Sequence, residues 1–320
     1  MRVLSLFSGC GGLDLGFAQA GFDIVAASEW DETIYPTYKA NHPDTMLIEG
    51  DVKNLTVYPE HIDGIIGGPP CQSWSEAGKQ RGISDARGQL FYEYIRILKD
   101  VSPKFFVAEN VYGMLWQKHQ PAVRNILDKF DQAGYNVNIH VVNAQDYGLA
   151  QERKRIFFIG FRKDLDIMFQ FPSPADRKLT MRDVIWDLQF SVVPTLPHHM
   201  HNPAAINNNE YYVDSYSPMF MSRNRVREWD TQSFTVQASG RQCQIHPSAP
   251  RMLKQGDTYI FQPGFTYRRL SVREAARLQG FPDDFYFIYD DADDGYKMIG
   301  NAVPVPLAYT IAQSIKGVFV

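Results

Sequence analysis

The first 160 residues alternate between short apolar runs and amphipathic stretches, and this alternation is the strongest constraint on the fold. The amphipathic stretches are typical of helices; in residues 90–99, Leu90, Tyr94 and Ile97 share one helical face. Strands alternating with helices form βαβ units, whose mostly parallel sheet is covered on both sides. The pattern predicts an α/β fold with strands at these runs: Val3–Phe7, Phe22–Ala27, Thr45–Ile48, Gly64–Ile66, Lys104–Ala108, Val137–Val142 and Ile156–Phe161.

The pattern changes after Phe171. Residues 172–209 contain five prolines and no clear period, which indicates a boundary or an irregular second domain. His198, His199 and His201 are spaced irregularly, with no cysteine or acidic residue nearby. A solvated loop is therefore favoured over a metal site there, and no metal is expected.

Composition restricts location and partners. No apolar run approaches the ~20 residues of a membrane span, and Met1–Phe7 lacks the features of a signal peptide. Three cysteines are too few for a disulfide framework, so we expect a cytoplasmic protein that does not bind membranes. The net charge is −4, yet residues 221–280 hold ten Lys and Arg against four Asp and Glu. That excess predicts a basic face suited to nucleic acid, with a solvated charged surface as the alternative.

A glycine-rich loop follows the first predicted strand. Its residues, Phe7-Ser8-Gly9-Cys10-Gly11-Gly12, precede a helix that we expect to end at Gly21. Glycines let a ligand approach the backbone, and a helix N-terminus favours an anionic group. Glu29 and Asp51 close the next two strands at the same sheet edge, where Glu29 is placed to bind ribose hydroxyls. The spacing departs from GxGxxG, which counts against a dinucleotide and leaves smaller nucleoside cofactors open.

A candidate nucleophile follows the fourth predicted strand. The turn Gly67-Gly68-Pro69-Pro70-Cys71-Gln72 places a cysteine at the carboxyl edge of the sheet. A structural cysteine usually lies within an apolar run, whereas Cys71 lies in a rigid polar turn that suits a nucleophile. An inert thiol is the alternative. Cys10 and Cys243 lack such a setting and are interpreted as non-catalytic.

Two charged motifs lie beside later strands. Glu109, in Glu109-Asn110-Val111, follows an apolar strand and is a candidate general acid, with a helix cap as the alternative. Within Gln151–Arg155, Arg153 and Arg155 alternate and are expected on one side of an extended segment. There they could hold a phosphate or the Glu109 carboxylate; a protective basic strand edge is the alternative.

Six motifs in order resemble those of the DNA (cytosine-5) methyltransferases, over nearly the whole chain. The glycine loop is similar to their S-adenosylmethionine loop, and the turn containing Cys71 is similar to their catalytic loop. The other four motifs are Glu109–Val111, Gln151–Arg155, Arg269–Pro282 and Gly300–Pro304. The resemblance implies a Rossmann-like catalytic domain with a smaller, irregular target-recognition domain.

The resemblance also implies a mechanism. The target cytosine is flipped out of duplex DNA, the Cys71 thiolate adds to its C6, and a protonated Glu109 hydrogen-bonds its N3. Arg155 would hold Glu109 and the base, and Arg153 would position the loop or backbone. The implied S-adenosylmethionine-binding residues are Phe7, Gly9, Gly11, Gly12, Glu29, Trp30, Asp51, Pro69 and Asn301.

Two domains follow from the same resemblance. Residues 1–172 and 297–320 would form the catalytic domain, and residues 173–296 would recognise the target. Ser222–Arg227 together with Phe234–Gln244 closely resembles the recognition segment of HaeIII-type type II modification methyltransferases, which act on the inner cytosine of GGCC.

This segment supplies the candidate DNA-binding residues, which are Arg223, Arg225, Arg227, Gln237 and Arg241. The first three alternate and are expected on one face of an extended segment. Arg225 and Arg241 are favoured as base readers, because arginine suits the O6 and N7 acceptors of guanine. Contacts to phosphate alone are the alternative.

Three other functions compete with this interpretation. The first alternative is a transfer-RNA cytosine methyltransferase. A second domain of about 120 residues favours the DNA enzyme, because reading the sequence of duplex DNA needs a dedicated surface. A catalytically inactive DNA-binding relative would not need Cys71, Glu109 and Arg155 together, and a nicotinamide oxidoreductase fits only the glycine loop. We expect a monomer that binds double-stranded DNA and is paired functionally, but not physically, with a restriction endonuclease.

Overall fold

A seven-stranded sheet is formed by strands between residues 2 and 162 of the structure, a computed structural model that describes residues 1–70 and 90–319. The strand order is β3-β2-β1-β4-β5-β7-β6. All pairings from β3 to β5 are parallel, whereas β7 is antiparallel to both neighbours. The strands are β1 Arg2–Leu6, β2 Asp23–Glu29, β3 Met46–Glu49, β4 Gly64–Gly67, β5 Phe105–Val111, β6 Tyr135–Asn143 and β7 Lys154–Arg162.

The predicted α/β class and mostly parallel sheet are confirmed, and each predicted apolar run overlaps one strand of this sheet. The central strands β1, β4 and β5 are almost entirely buried, which explains why each is a continuous apolar run in the sequence. The strands end one to three residues later than several of the runs, because ladder pairing continues through polar residues such as Glu29 and Glu109.

The chain divides into two compact units. The first comprises the described residues of Met1–Asn143, Lys154–Pro174 and Val305–Val320 and contains the sheet. Its helices are α1 Gly12–Gln19, α2 Tyr35–Asn41, α3 Leu90–Val101, α4 Gln120–Gln132 and α8 Val305–Gly317. Within this unit the C-terminal helix α8 packs against α1.

The second unit comprises Ala144–Arg153 and Ala175–Pro304 and is built from short elements. Its helices and strands are α5 Met181–Ile185, β8 Val193–Pro194, β9 Glu210–Tyr211, β10 Leu253–Gln255, β11 Thr258–Ile260, α6 Val272–Leu278 and α7 Ala292–Asn301. His198 is exposed, whereas His199 and His201 are half-buried and each has a partner. The His199 ring stacks on Tyr212 at 3.9 Å, and His201 Nδ1 lies 2.5 Å from Glu210 Oε1.

Within the described residues, no helix is both long enough and apolar enough to cross a membrane. In the same part of the chain, no three His, Cys, Asp or Glu side chains are grouped so that they could hold a metal ion.

Candidate functional site

The glycine loop has an unusual backbone. Phe7, Gly9 and Gly11 all adopt positive φ angles, of 55°, 55° and 92°. This conformation suits glycine but strains Phe7, and such strain concentrates at functional sites. Among the described residues other than its chain neighbours, none places a heavy atom within 4 Å of the position that a Cβ on Gly9 would occupy. The loop therefore leaves open space against its own backbone before Gly12 begins α1.

Glu29, the last residue of β2, organises this loop. Its Oε2 accepts a hydrogen bond from the Gly9 N–H at 2.8 Å, and its Oε1 accepts from Trp30 and Asp31 at 2.9 and 3.0 Å. Burial raises the pKa of the Glu29 carboxyl, and these three N–H donors oppose that shift. A carboxylate offers about four acceptor positions, so Glu29 retains capacity to accept from a ligand hydroxyl.

A cavity of about 370 Å³ lies beside the ends of β2 and β3. Asp51 lines it, together with Ser28, Gly50 and Asn54 and with several apolar side chains. Asp51 is exposed, and its Oδ1 accepts from the Lys53 N–H at 3.0 Å. Trp30 is 69% exposed, so its ring is available to a ligand.

A buried polar cluster that the sequence analysis did not predict joins α1, β1 and α2. Asp14, in the first turn of α1, accepts hydrogen bonds from Ser5 Oγ and Tyr38 Oη, both at 2.6 Å. All three side chains are fully buried, and burial raises the pKa of the Asp14 carboxyl. The cluster ties α1 to β1 and α2. Its only signal in the sequence is an acidic residue within the apolar stretch Gly12–Phe17.

Glu109 and Arg155 form an ion pair across β5 and β7. Arg155 pairs with Val111 in the antiparallel ladder, which places its side chain diagonally opposite Glu109. Arg155 Nε lies 2.9 Å from Glu109 Oε1, and both side chains are largely buried. The contact between these two residues, expected from the sequence, is therefore present.

The turn after β4 is tied to the same strand. Asn110 is fully buried, and its Nδ2 donates to the carbonyl of Pro69 at 3.2 Å. A Cβ on Gly68 would lie 3.4 Å from Glu109 Oε2, so the second carboxylate oxygen of Glu109 faces this turn. The sequence places Asn110 in a motif, and the structure shows that its side chain binds the turn that follows β4. Cys71 and Gln72 lie outside the described residues.

Arg153 does not share the environment of Arg155. It is 2% exposed, which excludes an exposed edge that could hold a phosphate. Its guanidinium donates to the carbonyls of Gly300, Ala302 and Val236 at 2.9, 3.1 and 3.3 Å, all within the second unit. The two arginines therefore have different partners, which are backbone carbonyls for Arg153 and the Glu109 carboxylate for Arg155. Asn301 is exposed at the end of α7.

The arginines of the recognition segment also differ from one another. Arg223, Gln237 and Arg241 are exposed. Arg225 is 8% exposed, and its Nε and Nη2 donate to the carbonyls of Phe220 and Met219 at 2.8 and 3.0 Å. Burial lowers its pKa to about 10.

Arg227 takes a third environment. Its Nη2 lies 2.8 Å from Glu152 Oε2, and its guanidinium lies over the Phe234 ring. The expectation that the three alternating arginines share one face is therefore wrong. Residues 223–227 do not form a strand, and only Arg225 of the three is buried.

Both described cysteines are buried. Burial raises the pKa of the Cys243 thiol to about 12 and raises that of Cys10 further. Both thiols therefore stay protonated near neutral pH, which agrees with their interpretation as non-catalytic.

The sequence matches a known protein family along nearly the whole chain. The profile described as C-5 cytosine-specific DNA methylase matches residues 1–317. The chain belongs to this family. It is a DNA (cytosine-5) methyltransferase, and both the family and the fold imply the use of S-adenosylmethionine.

Similar proteins include two bacterial enzymes. The type II methyltransferase M.NgoPII of Neisseria gonorrhoeae is 63% identical over 99% of this chain and 95% of its own length. The type II methyltransferase M.FnuDI of Fusobacterium nucleatum is 57% identical over 99% of this chain and 94% of its own length.

Solved structures agree with the fold. A crystal structure assigned as a DNA modification methyltransferase encoded within an E. coli prophage has a TM-score of 0.77 and 26% identity, covering 100% of this chain and 99% of that one. The S. pombe Dnmt2 methyltransferase has a TM-score of 0.65 at 19% identity, covering 99% of each chain, and shows the fold alone.

Proposed function

We propose that this methyltransferase modifies C5 of a flipped cytosine within GGCC and belongs to a type II restriction-modification system. The Glu109–Arg155 ion pair, facing the turn that leads into Cys71, is the observation that carries the chemistry. The protein acts as a monomer on double-stranded DNA. It protects that DNA from a cognate restriction endonuclease without binding the nuclease.

In the proposed reaction, the Cys71 sulfur forms a bond to C6 of the base. Glu109, protonated on the oxygen that faces Gly68, donates to N3 and stabilises the charge that develops on the ring. Arg155 holds the other Glu109 oxygen and so fixes the direction of the donor. S-adenosylmethionine, when bound, supplies an electrophilic methyl group. C5 takes this methyl group and then carries both the methyl and a proton. Loss of that proton to solvent re-forms the C5=C6 double bond, and the Cys71 sulfur leaves as a thiolate.

The residues of the first unit fit this cofactor. The open space beside Gly9 and the spare acceptor capacity of Glu29 suit a ligand that carries ribose hydroxyls. We assign Glu29 to the ribose, Asp51 to the adenine amino group and Trp30 to the adenine face. The backbone of Phe7, Gly9, Gly11, Gly12 and Pro69 would line the remainder, and Asn301 stays a proposal from resemblance alone.

Glu29→Ala and Asp51→Ala should each weaken S-adenosylmethionine binding. Losing one charge-assisted hydrogen bond costs ~1.5–3 kcal/mol, or roughly ten- to hundredfold in affinity. Calorimetry without DNA measures this directly. Asp164→Ala is the matched control, because Asp164 pairs with Arg162 at 2.7 Å and is not among the described residues that line this cavity. Unchanged affinity in either test variant would remove that residue from the site.

The GGCC target rests on the recognition segment. Guanine presents O6 and N7 together, and arginine is the side chain best suited to bind both. Arg223, Gln237 and Arg241 are exposed and can reach bases or phosphates. Arg225 is the weaker candidate of the two proposed readers, because two carbonyls already accept from its guanidinium.

Bisulfite sequencing of plasmid DNA treated with the purified enzyme should show protection at the inner cytosine of GGCC. Methylation confined to another site would overturn the proposed target. Incorporation of labelled methyl groups into total transfer RNA, with none into plasmid DNA, would overturn the DNA substrate as well. Untreated plasmid and a plasmid lacking GGCC serve as controls.

A further inference from the structure

Residues 237–240 of the recognition segment contact one helix of the second unit, α7, at two points. At the C-terminal end of α7, a Cβ on Gly300 would overlap the backbone of Gln237 and Ala238. The segment therefore touches the helix backbone directly at this point. Arg153 bridges the same contact, because it donates to the carbonyls of both Gly300 and Val236.

Asp293 holds the segment at the opposite end of α7. Its Oδ1 accepts hydrogen bonds from Ser239 Oγ at 3.0 Å and from the Gly240 N–H at 2.6 Å. Capping of the helix does not depend on this side chain, because Asp291 is the N-cap and its carboxylate accepts from the Asp293 N–H at 2.8 Å. The Asp293 carboxylate is thus directed at the segment.

The two attachment points lie about 10 Å apart along α7, because Asp293 and Gly300 are seven positions apart at ~1.5 Å per residue. Ala238 and Ser239 are bends, so the segment turns as it passes from one attachment point to the other.

Tyr212 and Arg269 hold the turn formed by residues 239–242. A Cβ on Gly240 would lie 2.5 Å from the Tyr212 ring, so the turn rests on that ring. Arg269 Nη2 donates to the Arg241 carbonyl at 3.4 Å, and the Arg269 guanidinium lies 5.3 Å from the centre of the Tyr212 ring. The backbone at Arg241 is held, whereas the Arg241 side chain is exposed.

We propose that Asp293 is a positioning residue for target recognition, whose carboxylate fixes the turn 239–242 so that Arg241 meets one base of the target. This inference rests on the proposed function, in which Arg241 reads a base. A charge-assisted hydrogen bond to a backbone N–H is short and strong, and a reader that is ordered before binding loses less entropy on DNA. Asp293 itself does not touch the DNA.

The test compares four variants on GGCC duplexes and on duplexes with single base changes. Arg241→Ala should relax preference at one position by about 5- to 150-fold, the range for a lost base contact. Asp293→Ala should relax preference at the same position by about 5-fold or more, and Asp293→Asn, which keeps an acceptor oxygen, should recover part of it. Asp294→Ala is the matched control, because Asp294 pairs with Lys297 and should behave as wild type.

Calorimetric affinity for S-adenosylmethionine should stay unchanged in all four. If Arg241→Ala alters preference and Asp293→Ala does not, the positioning role is overturned while the proposed function stands. If Arg241→Ala leaves the sequence preference unchanged, Arg241 does not read a base. That result overturns the role proposed for Arg241, and with it the positioning role of Asp293.

Other results would also overturn the positioning role. One is that Asp293→Ala lowers the methylation rate equally on every sequence. The other is that Asp294→Ala relaxes preference at the same position as Asp293→Ala. Should Asp293→Ala fail to fold, Ser239→Ala removes one of the two hydrogen bonds and should shift preference at the same position. A wild-type preference in Ser239→Ala would then count against the proposal.

Discussion

Cys71→Ser should reduce kcat by about 10⁴-fold or more, as expected for loss of a covalent nucleophile, while binding of S-adenosylmethionine is retained. A serine hydroxyl is far less ionised than a thiol near neutral pH, so little nucleophile is available to attack C6. Single-turnover methylation of a GGCC duplex measures the loss, and calorimetry without DNA confirms that the variant still binds cofactor.

A duplex with 5-fluorocytosine at the target provides the direct check. Fluorine cannot leave as a proton, so a covalent complex should accumulate through Cys71 in the wild-type enzyme. Cys10→Ser is the control that should still form the adduct, because the Cys10 thiol is buried and stays protonated. An adduct mapped to Cys10 or Cys243 would refute the assignment of Cys71.

Glu109→Gln should lower kcat by about 10²- to 10⁴-fold, the usual contribution of a positioned general acid. Glutamine keeps the size of the side chain and can still accept from Arg155, but it does not transfer a proton to N3. We expect S-adenosylmethionine affinity to stay near wild type, so the loss would appear in the chemical step. Presteady-state methylation on the GGCC duplex is the measurement.

The chain offers a matched control for this substitution. Glu93 forms an ion pair with Arg96 at 2.8 Å on α3, close to the 2.9 Å of the Glu109–Arg155 pair. Glu93→Gln removes the same charge from a similar pair and should leave kcat within about twofold, since surface ion pairs contribute little. A Glu109→Gln variant as active as Glu93→Gln would exclude Glu109 as the acid.

The sheet was predictable because the relevant signal is local. A strand buried on both faces needs apolar side chains at every position, so a run such as Gly64–Ile66 is visible without knowledge of its neighbours. The position of the cofactor loop could also be predicted from the sequence, because it follows from the order of the strands. Parallel strands end at one edge, so residues that close them, such as Glu29 at the end of β2, could be placed near Gly9. The antiparallel direction of β7 could not be predicted, because it depends on pairing with β5 and β6.

The sequence by itself determined the fold class, the family and the ion pair between Glu109 and Arg155. Only the tertiary structure decided the roles within the recognition segment. Arg225 appears equivalent to Arg223 in the sequence, yet it is buried because carbonyls of the preceding turn accept from it. Asp293 is one of six aspartates between residues 283 and 294, and it alone of the described ones holds Ser239, 54 residues away. A local pattern reveals charge and periodicity, whereas the partner of each polar group depends on which distant backbone segments the folded chain brings together.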